Sequence, residues 1–152
     1  GCHLTIKSEI PVGAGLGSSA SYSVCLATAI LLLSKKISYP LTDDHRHAIN
    51  TLAFEAEKVI HGTPSGVDNT ISTFGGAKIY QKGKGVLDLK GFPALSILLT
   101  DTNVPKNTKQ QVELFAQRKL KYPKLMNNVI DSISNVVEEA IELFGRLGIS
   151  SY

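Results

Sequence analysis

The pattern of hydrophobic and polar positions divides the first half of the chain into one strand and two helices. Apolar residues at roughly every second position over residues 3–10 predict a strand that ends at Pro11. Small and apolar residues then follow almost all round the helical wheel from Ala20 to Lys35, which predicts a helix buried on most of its faces. A second helix is predicted over residues 43–61. Its apolar stripe comprises Ile49, Leu52, Ala53, Ala56 and Ile60.

The second half of the chain again mixes strands and helices. The predicted elements are strands at residues 77–81, 86–89 and 96–100 and helices at residues 108–121 and 124–147, the helices being separated by Pro123. Glycine-rich turns at residues 75–76 and 82–85 predict that the first two of these strands form a hairpin. Strands and helices in this mixed order predict an α+β fold with a two-layer α/β architecture.

Composition narrows the class of protein. The 152 residues are 43% hydrophobic and 19% charged, which is typical of a globular domain and not of a disordered segment. The net charge of +3 does not indicate a nucleic-acid partner, because the basic segment Lys82-Gly83-Lys84 is too short for the surface that such binding needs. The longest apolar run, residues 26–33, is too short to cross a bilayer, so we expect no membrane partner.

The cysteines and the start of the chain bear on its setting. Cys2 and Cys25 form no Cys-x-x-Cys pair and are too few for a disulfide framework, which favours a reducing, cytoplasmic setting. We expect Cys25, with small and apolar neighbours, to be a buried thiol. The chain opens without Met and without a basic-then-apolar leader, and we expect it to be a section of a longer protein.

The segment with the most specific chemistry runs from Pro11 to Ala20 and reads Pro-Val-Gly-Ala-Gly-Leu-Gly-Ser-Ser-Ala, between the predicted strand and helix. Glycines let the backbone approach a phosphate closely, and the N–H groups and positive dipole end of the following helix point to the same place. Ser18 and Ser19 can add hydroxyl groups to a phosphate or a bound Mg²⁺. The segment is not a Walker A loop, since no Lys follows Gly17, and its glycine spacing differs from the dinucleotide-binding fingerprint.

This ten-residue segment resembles the second motif of the GHMP kinase superfamily, which includes galactokinases, homoserine kinases, mevalonate kinases and phosphomevalonate kinases. Residues 57–69 and 100–109 are similar to segments of the mevalonate kinases, and similarity of this kind extends over nearly the whole chain. The resemblance implies ATP-dependent phosphorylation of mevalonate, a step in isoprenoid and sterol precursor synthesis, with Mg²⁺ as the metal ion. The alternatives are another GHMP small-molecule kinase, such as a phosphomevalonate kinase, and a non-catalytic nucleotide-binding fragment.

The resemblance also implies two lobes. Residues 1–94 would form part of an ATP-binding N-terminal lobe of the ribosomal protein S5 domain 2-like type, and residues 95–152 the start of a ferredoxin-like C-terminal lobe. Mevalonate is the implied small-molecule partner, with no nucleic acid and no membrane, and a homodimer is one option for assembly. Two family motifs are not found in this sequence: an N-terminal one that supplies a Lys beside the catalytic Asp, and a C-terminal glycine-rich loop.

Individual residues take roles from the same resemblance. The ATP phosphates would be bound by Gly13, Ala14, Gly15, Leu16, Gly17, Ser18, Ser19 and Ala20. Ser19 and Glu57 would hold Mg²⁺, and Asp68, expected in a glycine-rich loop, would face the mevalonate hydroxyl as a base or electrostatic orienter. The substrate contacts would be Ser65, Lys106 and Thr108.

The choice of metal ligand rests on the resemblance and not on helical geometry. Glu55 and Glu57 each lie roughly 100° from the centre of the apolar stripe, so periodicity does not distinguish them. The family pattern has the metal-binding Glu eleven residues before the catalytic Asp, which selects Glu57. The four histidines form no metal cluster, and none of them is assigned to catalysis. They are His3, His45, His47 and His61.

Overall fold

The computed structural model describes residues 3–90, 92, 94–100 and 108–149, with side chains described up to residue 100 and from residue 110 to residue 145. Contacts between residues divide the chain into two compact units, Gly1–Asp88 and Leu89–Tyr152. The first unit contains three helices and nearly all of a hairpin: α1 (Ser18–Leu33), α2 (Asp43–His61), α3 (Val67–Phe74), β1 (Ala77–Gln81) and β2 (Gly85–Leu89). The second unit contains α4 (Thr108–Lys121) and α5 (Pro123–Ile149).

Helix α1 begins two residues before its predicted start and ends two residues before its predicted end. Its C-terminus is a Schellman motif, in which Lys35 takes a left-handed conformation with φ 57°. The Lys36 N–H donates to the Leu31 carbonyl at 2.9 Å, and the Lys35 N–H donates to the Leu32 carbonyl at 3.0 Å. Both lysines therefore follow the helix, and neither belongs to its last turn.

Helix α2 has the predicted bounds because local sequence specifies both of its ends. The Thr42 hydroxyl accepts the His45 N–H and the His45 Nδ1 accepts the Thr42 N–H, each at 3.3 Å, which completes a capping box. At the other end, Gly62 follows His61 with φ 77° and closes the helix. Neither feature needs a partner from elsewhere in the chain.

The face that α2 buries differs from the predicted stripe. Ile49, Ala53 and Glu57 are buried at intervals of four residues, whereas Leu52 and Ile60 are exposed. The hydrophobic core of the unit consists of Ala27, Leu31, Ile37, Ile49 and Ala53. Small residues on both helices let α1 and α2 approach closely. The carboxylate of Glu57 lies on the buried face of α2 and is thus inside this interface.

Helix α3 corrects the prediction of a loop around Asp68, which is the second residue of this helix. Gly66 precedes the helix with φ 80°, and its carbonyl accepts hydrogen bonds from the N–H and the hydroxyl of Thr70, at 3.2 and 2.6 Å. Four of the eight residues are β-branched, and so short a helix is not stable alone. Packing against α1 and α2 stabilises it.

The predicted hairpin is confirmed as β1 and β2, which form the one sheet in the described part of the chain. The predicted strands at residues 3–10 and 96–100 are wrong, because residues 3–9 and 94–100 have no regular secondary structure. A strand needs a neighbour to bond its N–H and C=O groups, and the described residues offer none to either segment. The described chain thus combines helices with one small sheet.

Cys25 is exposed, which corrects the prediction of a buried thiol. Helix α1 buries the face that carries Ala20, Ser23, Ala27 and Leu31, and Cys25 lies on a different face. Together with Tyr22 and Leu26 it lines a cleft of about 480 Å³ that residues 4–10 also line. The thiol is free.

In the second unit, α4 and α5 confirm the two predicted helices, with α5 extending to Ile149. Pro123 is the first residue of α5, where its missing N–H costs nothing. The prediction that Pro123 lies between the two helices is therefore wrong. The Phe92 and Phe144 rings pack with centroids 4.8 Å apart. Among the described residues, no helix has the length and apolar character needed to cross a membrane.

Gly66→Ala is expected to destabilise the protein more than Gly17→Ala. Both glycines precede a helix in a left-handed conformation, which costs an L-residue about 1–2 kcal/mol. A Cβ at Gly66 would lie 3.2 Å from the Phe54 ring, whereas one at Gly17 would meet nothing within 4 Å. The ring must therefore shift, at a further cost on the order of 1 kcal/mol. Urea denaturation of the full-length variants measures the difference between their free energies of unfolding. Equal midpoints would show that the Phe54 ring shifts at no cost in stability.

Candidate active site

The glycine-rich segment has the backbone that an anion-binding loop requires. Gly13, Gly15 and Gly17 have φ of 79°, 76° and 73°, in the left-handed region that other residues avoid. A Cβ at any of the three would meet nothing within 4 Å, so the backbone conformation and not crowding favours glycine there. Gly17 has no side chain to cap α1, which leaves the first N–H groups of the helix facing the loop.

The other residues expected at the ATP phosphates differ in what they can offer. Ala20 is 1% exposed, so the residue packs into the unit and offers a nucleotide almost no surface. Leu16 is exposed, and Ala14, Ser18 and Ser19 are half-buried. Contacts to phosphate at this loop would therefore come mainly from backbone N–H groups and serine hydroxyls.

A buried carboxylate lies directly beside this loop. Glu57 is 5% exposed, and its Oε1 accepts hydrogen bonds from the hydroxyls of Ser19 and Ser23, each at 2.8 Å. The two serines are one turn apart on α1 and face α2 together. Two charge-assisted hydrogen bonds offset much of the cost of burying the charge.

Glu55 has a different environment, although helical periodicity does not separate it from Glu57. Its side chain is 58% exposed and pairs with Lys58, three residues later, at 2.7 Å. An exposed pair of this kind stabilises a protein by about 0.2–1 kcal/mol at most. Of the two glutamates, Glu57 is therefore the one that contacts the serine after the glycine-rich loop.

His61 also belongs to this cluster, although no histidine was expected at the site from the sequence. Its Nε2 lies 3.1 Å from the Ser19 Oγ and 3.6 Å from the Glu57 Oε2. The residue is one turn after Glu57 on α2, a spacing that can be read from the sequence. A histidine in the last turn of a helix also interacts favourably with the helix dipole. Its position in the sequence therefore did not by itself indicate a role at the site.

The pair Ser19 and Glu57 suits a small, hard cation. Mg²⁺ prefers oxygen ligands and usually takes one or two from protein and the rest from phosphates and water. Within the described residues, no group of three or more His, Cys, Asp or Glu side chains could hold a metal ion. A cation here would therefore complete its shell with water and with phosphate oxygens, and the adjoining glycine-rich loop can position the phosphates.

Asp68 is exposed at the N-terminus of α3, where the helix dipole favours a negative charge. The buried side chain of Asn69, 2% exposed, anchors this end of α3 to α2. Its Nδ2 donates to the Oδ1 of Asn50 at 2.6 Å, and the Asn50 Nδ2 donates to the Thr70 Oγ1 at 3.4 Å. The backbone that carries Asp68 is therefore held against α2 by the two residues that follow it.

The three residues expected to contact substrate are described to different extents. Ser65 is exposed just before α3, and its Oγ accepts the N–H of Val67 at 3.3 Å. Lys106 lies outside the described residues. Thr108 begins α4, and its side chain is also outside the description.

The chain is similar to curated mevalonate kinases. It is 45% identical over 154 residues to the mevalonate kinase of Homo sapiens, covering 95% of this chain and 39% of the human protein. It is 45% identical over 153 residues to that of Bos taurus, with 95% and 38% covered. It is 38% identical over 151 residues to that of Schizosaccharomyces pombe, with 93% and 37% covered. The chain therefore spans less than two fifths of the length of these relatives.

Residues 1–76 match the family described as the GHMP kinases N terminal domain. The match extends over half of the chain and includes the glycine-rich segment, the Ser19–Glu57 pair and Asp68. The chain therefore belongs to the GHMP kinases.

Proposed function

We propose that the full-length protein transfers the γ-phosphate of ATP to the hydroxyl of mevalonate and so forms 5-phosphomevalonate. The observation that carries this proposal is the hydrogen-bonded pair Ser19 and Glu57 beside a left-handed glycine loop. Similarity to curated mevalonate kinases supports the choice of substrate. The same similarity supports a role in isoprenoid and sterol precursor synthesis.

Binding of ATP would use the backbone of residues 13–20. The left-handed glycines allow the chain to follow the phosphates closely, and the N-terminal N–H groups of α1 add donors. Ser19 and Glu57 would hold Mg²⁺ through their oxygens. When bound, the ion would neutralise charge on the phosphate oxygens during transfer.

Asp68 would act at the acceptor hydroxyl. The hydroxyl oxygen forms a bond to the γ-phosphorus, the bond from that phosphorus to the bridging oxygen of ADP breaks, and the hydroxyl proton passes to the Asp68 carboxylate. The contact between Asn69 and Asn50 holds the start of α3 against α2, so that the backbone carrying this carboxylate needs little reorganisation. Ser65, Lys106 and Thr108 are proposed to contact mevalonate.

We also propose the lobes to which the chain belongs, the cellular location of the enzyme and its partners. Residues 1–94 would belong to the N-terminal lobe and residues 95–152 to the start of a ferredoxin-like C-terminal lobe. A cytoplasmic location is supported by the free, exposed thiol of Cys25, which suits a reducing compartment. A homodimer and the absence of a nucleic-acid partner remain part of the same proposal.

A substrate panel tests the proposed function. Full-length protein with Mg-ATP is expected to release ADP with mevalonate at a kcat/KM at least about 10²-fold above that with phosphomevalonate, galactose or homoserine, since a site built to bond one substrate's polar groups discriminates strongly. ADP release is measured in a coupled assay, and product is identified by mass. A higher kcat/KM with another acceptor would contradict the choice of mevalonate, and no transfer to any acceptor would favour a non-catalytic relative.

A further inference from the structure

We infer that Ser23 and His61 are positioning residues that hold Glu57 and Ser19 in the arrangement a phosphate-bound Mg²⁺ requires. The inference rests on the proposed function, because it takes Glu57 and Ser19 as the residues that would hold the ion. Neither Ser23 nor His61 has a role in the function as proposed so far. Their contacts with the pair are what point to one.

The cluster runs from the interior of the unit to its surface. Ser23 is 1% exposed and Glu57 is 5% exposed, whereas Ser19 is half-buried and the His61 side chain is 52% exposed. The interior hydroxyl of Ser23 donates to Glu57 at 2.8 Å and is out of reach of solvent. Within the described residues, the cluster is therefore open to a ligand on the side of Ser19 and His61.

The two serine hydroxyls have different consequences for the carboxylate, although both donate to the same oxygen. If the Ser19 hydroxyl rotated its proton away from Glu57 when its oxygen bound a cation, the bond to the Glu57 Oε1 at 2.8 Å would be lost. Ser23 would still donate to that oxygen, so the buried carboxylate would keep a partner and its orientation. Because Ser23 remains bonded to Glu57, Ser19 can exchange the carboxylate for a cation at little cost in free energy.

His61 supplies the second half of the arrangement. A serine hydroxyl has one proton, and a cation on its oxygen requires that proton to point to another acceptor. Two groups lie within reach of it among the described contacts: the Glu57 Oε1 at 2.8 Å, which accepts it, and the His61 Nε2 at 3.1 Å, which can accept it in one of the two ring tautomers. With Glu57 also committed to the cation, the Nε2 of His61 is the acceptor left for Ser19, in the tautomer that carries the ring proton on Nδ1.

The proposal predicts weaker cation binding in Ser23→Ala than in a matched control. Ser21→Ala, on the same helix, removes a hydroxyl whose hydrogen-bond partner among the described residues is the Ser72 hydroxyl at 3.5 Å. Loss of a residue that orients a metal ligand lowers metal affinity by about 10–100-fold, so the Mg²⁺ dissociation constant of Ser23→Ala should rise by that factor. That of Ser21→Ala should change by no more than about two-fold.

The same measurement applies to His61. His61→Leu removes the acceptor and is expected to raise the Mg²⁺ dissociation constant by about 10-fold. His61→Gln can return a carbonyl oxygen or amide nitrogen to the region of Nε2, and it should recover most of the loss. Recovery by Gln separates a hydrogen-bonding role from a purely structural one.

The readout is binding, without turnover. Full-length variants are titrated with Mg²⁺ in the presence of a non-hydrolysable ATP analogue, and analogue binding is also measured in EDTA, where no change is expected. Thermal unfolding without metal reports any loss of stability. Ser23→Cys, which keeps a similar volume but donates weakly, serves where Ser23→Ala is too unstable to titrate.

The outcomes separate this inference from the proposed function. Weaker Mg²⁺ binding in both Glu57→Gln and the Ser23 variants supports the inference. Weaker binding in Glu57→Gln alone, with the Ser23 variants only less stable, would overturn the inference and leave the proposed function intact. Unchanged Mg²⁺ binding in Glu57→Gln would overturn the metal role of Glu57 and the inference with it.

Discussion

Replacing Asp68 by Asn in the full-length protein is expected to lower kcat by about 10²–10⁴-fold. Asn keeps the size of the side chain but cannot take the proton of the acceptor hydroxyl. The fold should persist, because Asp68 is exposed and its neighbour Asn69 makes the buried contacts of this end of α3. ATP affinity should also persist, because the phosphate contacts are proposed for the glycine-rich loop.

Asp44 offers a matched control for this experiment. It is also exposed and is also the second residue of a helix, so Asp44→Asn loses the same interaction with a helix dipole. Initial rates with mevalonate and Mg-ATP, together with equilibrium ATP binding, give the comparison. Near-normal kcat in Asp68→Asn, or an equal loss in Asp44→Asn, would remove Asp68 from the proposed mechanism.

Glu57→Gln is expected to have the second large effect, on the dependence of rate on Mg²⁺. The half-saturating Mg²⁺ concentration should rise by about 10–100-fold, because a neutral amide is a poorer ligand than a carboxylate. The Ser19 and Ser23 hydroxyls, which both donate to Oε1, would also have a neutral amide oxygen in place of a charged acceptor. Rates are measured at saturating ATP over a range of Mg²⁺ concentrations.

Glu55→Gln is the control two residues away on the same helix. It breaks only the exposed pair with Lys58, so its Mg²⁺ dependence should differ from that of the unaltered protein by no more than about two-fold. An equal or larger effect at Glu55 would contradict the assignment of Glu57. Thermal unfolding of both variants distinguishes a lost ligand from a lost fold.

The bounds of α2 and the hairpin could be predicted from sequence because short-range interactions specify them. Thr42 and His45 cap α2 within four residues of chain, and Gly62 ends it by its own conformation. The turn between β1 and β2 is likewise closed locally, with the Lys84 N–H bonded to the Gln81 carbonyl at 2.9 Å. The glycine-rich loop belongs to the same class, because left-handed backbone favours glycine wherever it occurs.

Elements that depend on distant partners were not predicted correctly. Residues 3–10 alternate as a strand does, but a strand exists only when another pairs with it. In helix α3 the local sequence is unfavourable and the element forms all the same. Its β-branched residues do not favour a helix, but its packing against α1 and α2 stabilises it. The local sequence pattern therefore predicts a strand that does not form and fails to predict a helix that does.

The sequence by itself determined the glycine-rich loop, the bounds of α2 and, through family resemblance, the choice of Glu57, eleven residues before Asp68, as the proposed metal ligand. Only the tertiary structure decided which side chains meet. Glu57 is buried against Ser19 and Ser23, and His61 joins them, because α1 and α2 pack closely along faces of small residues. The rotation of one helix against another depends on the shapes of both surfaces, and the periodicity of a single helix does not contain that information.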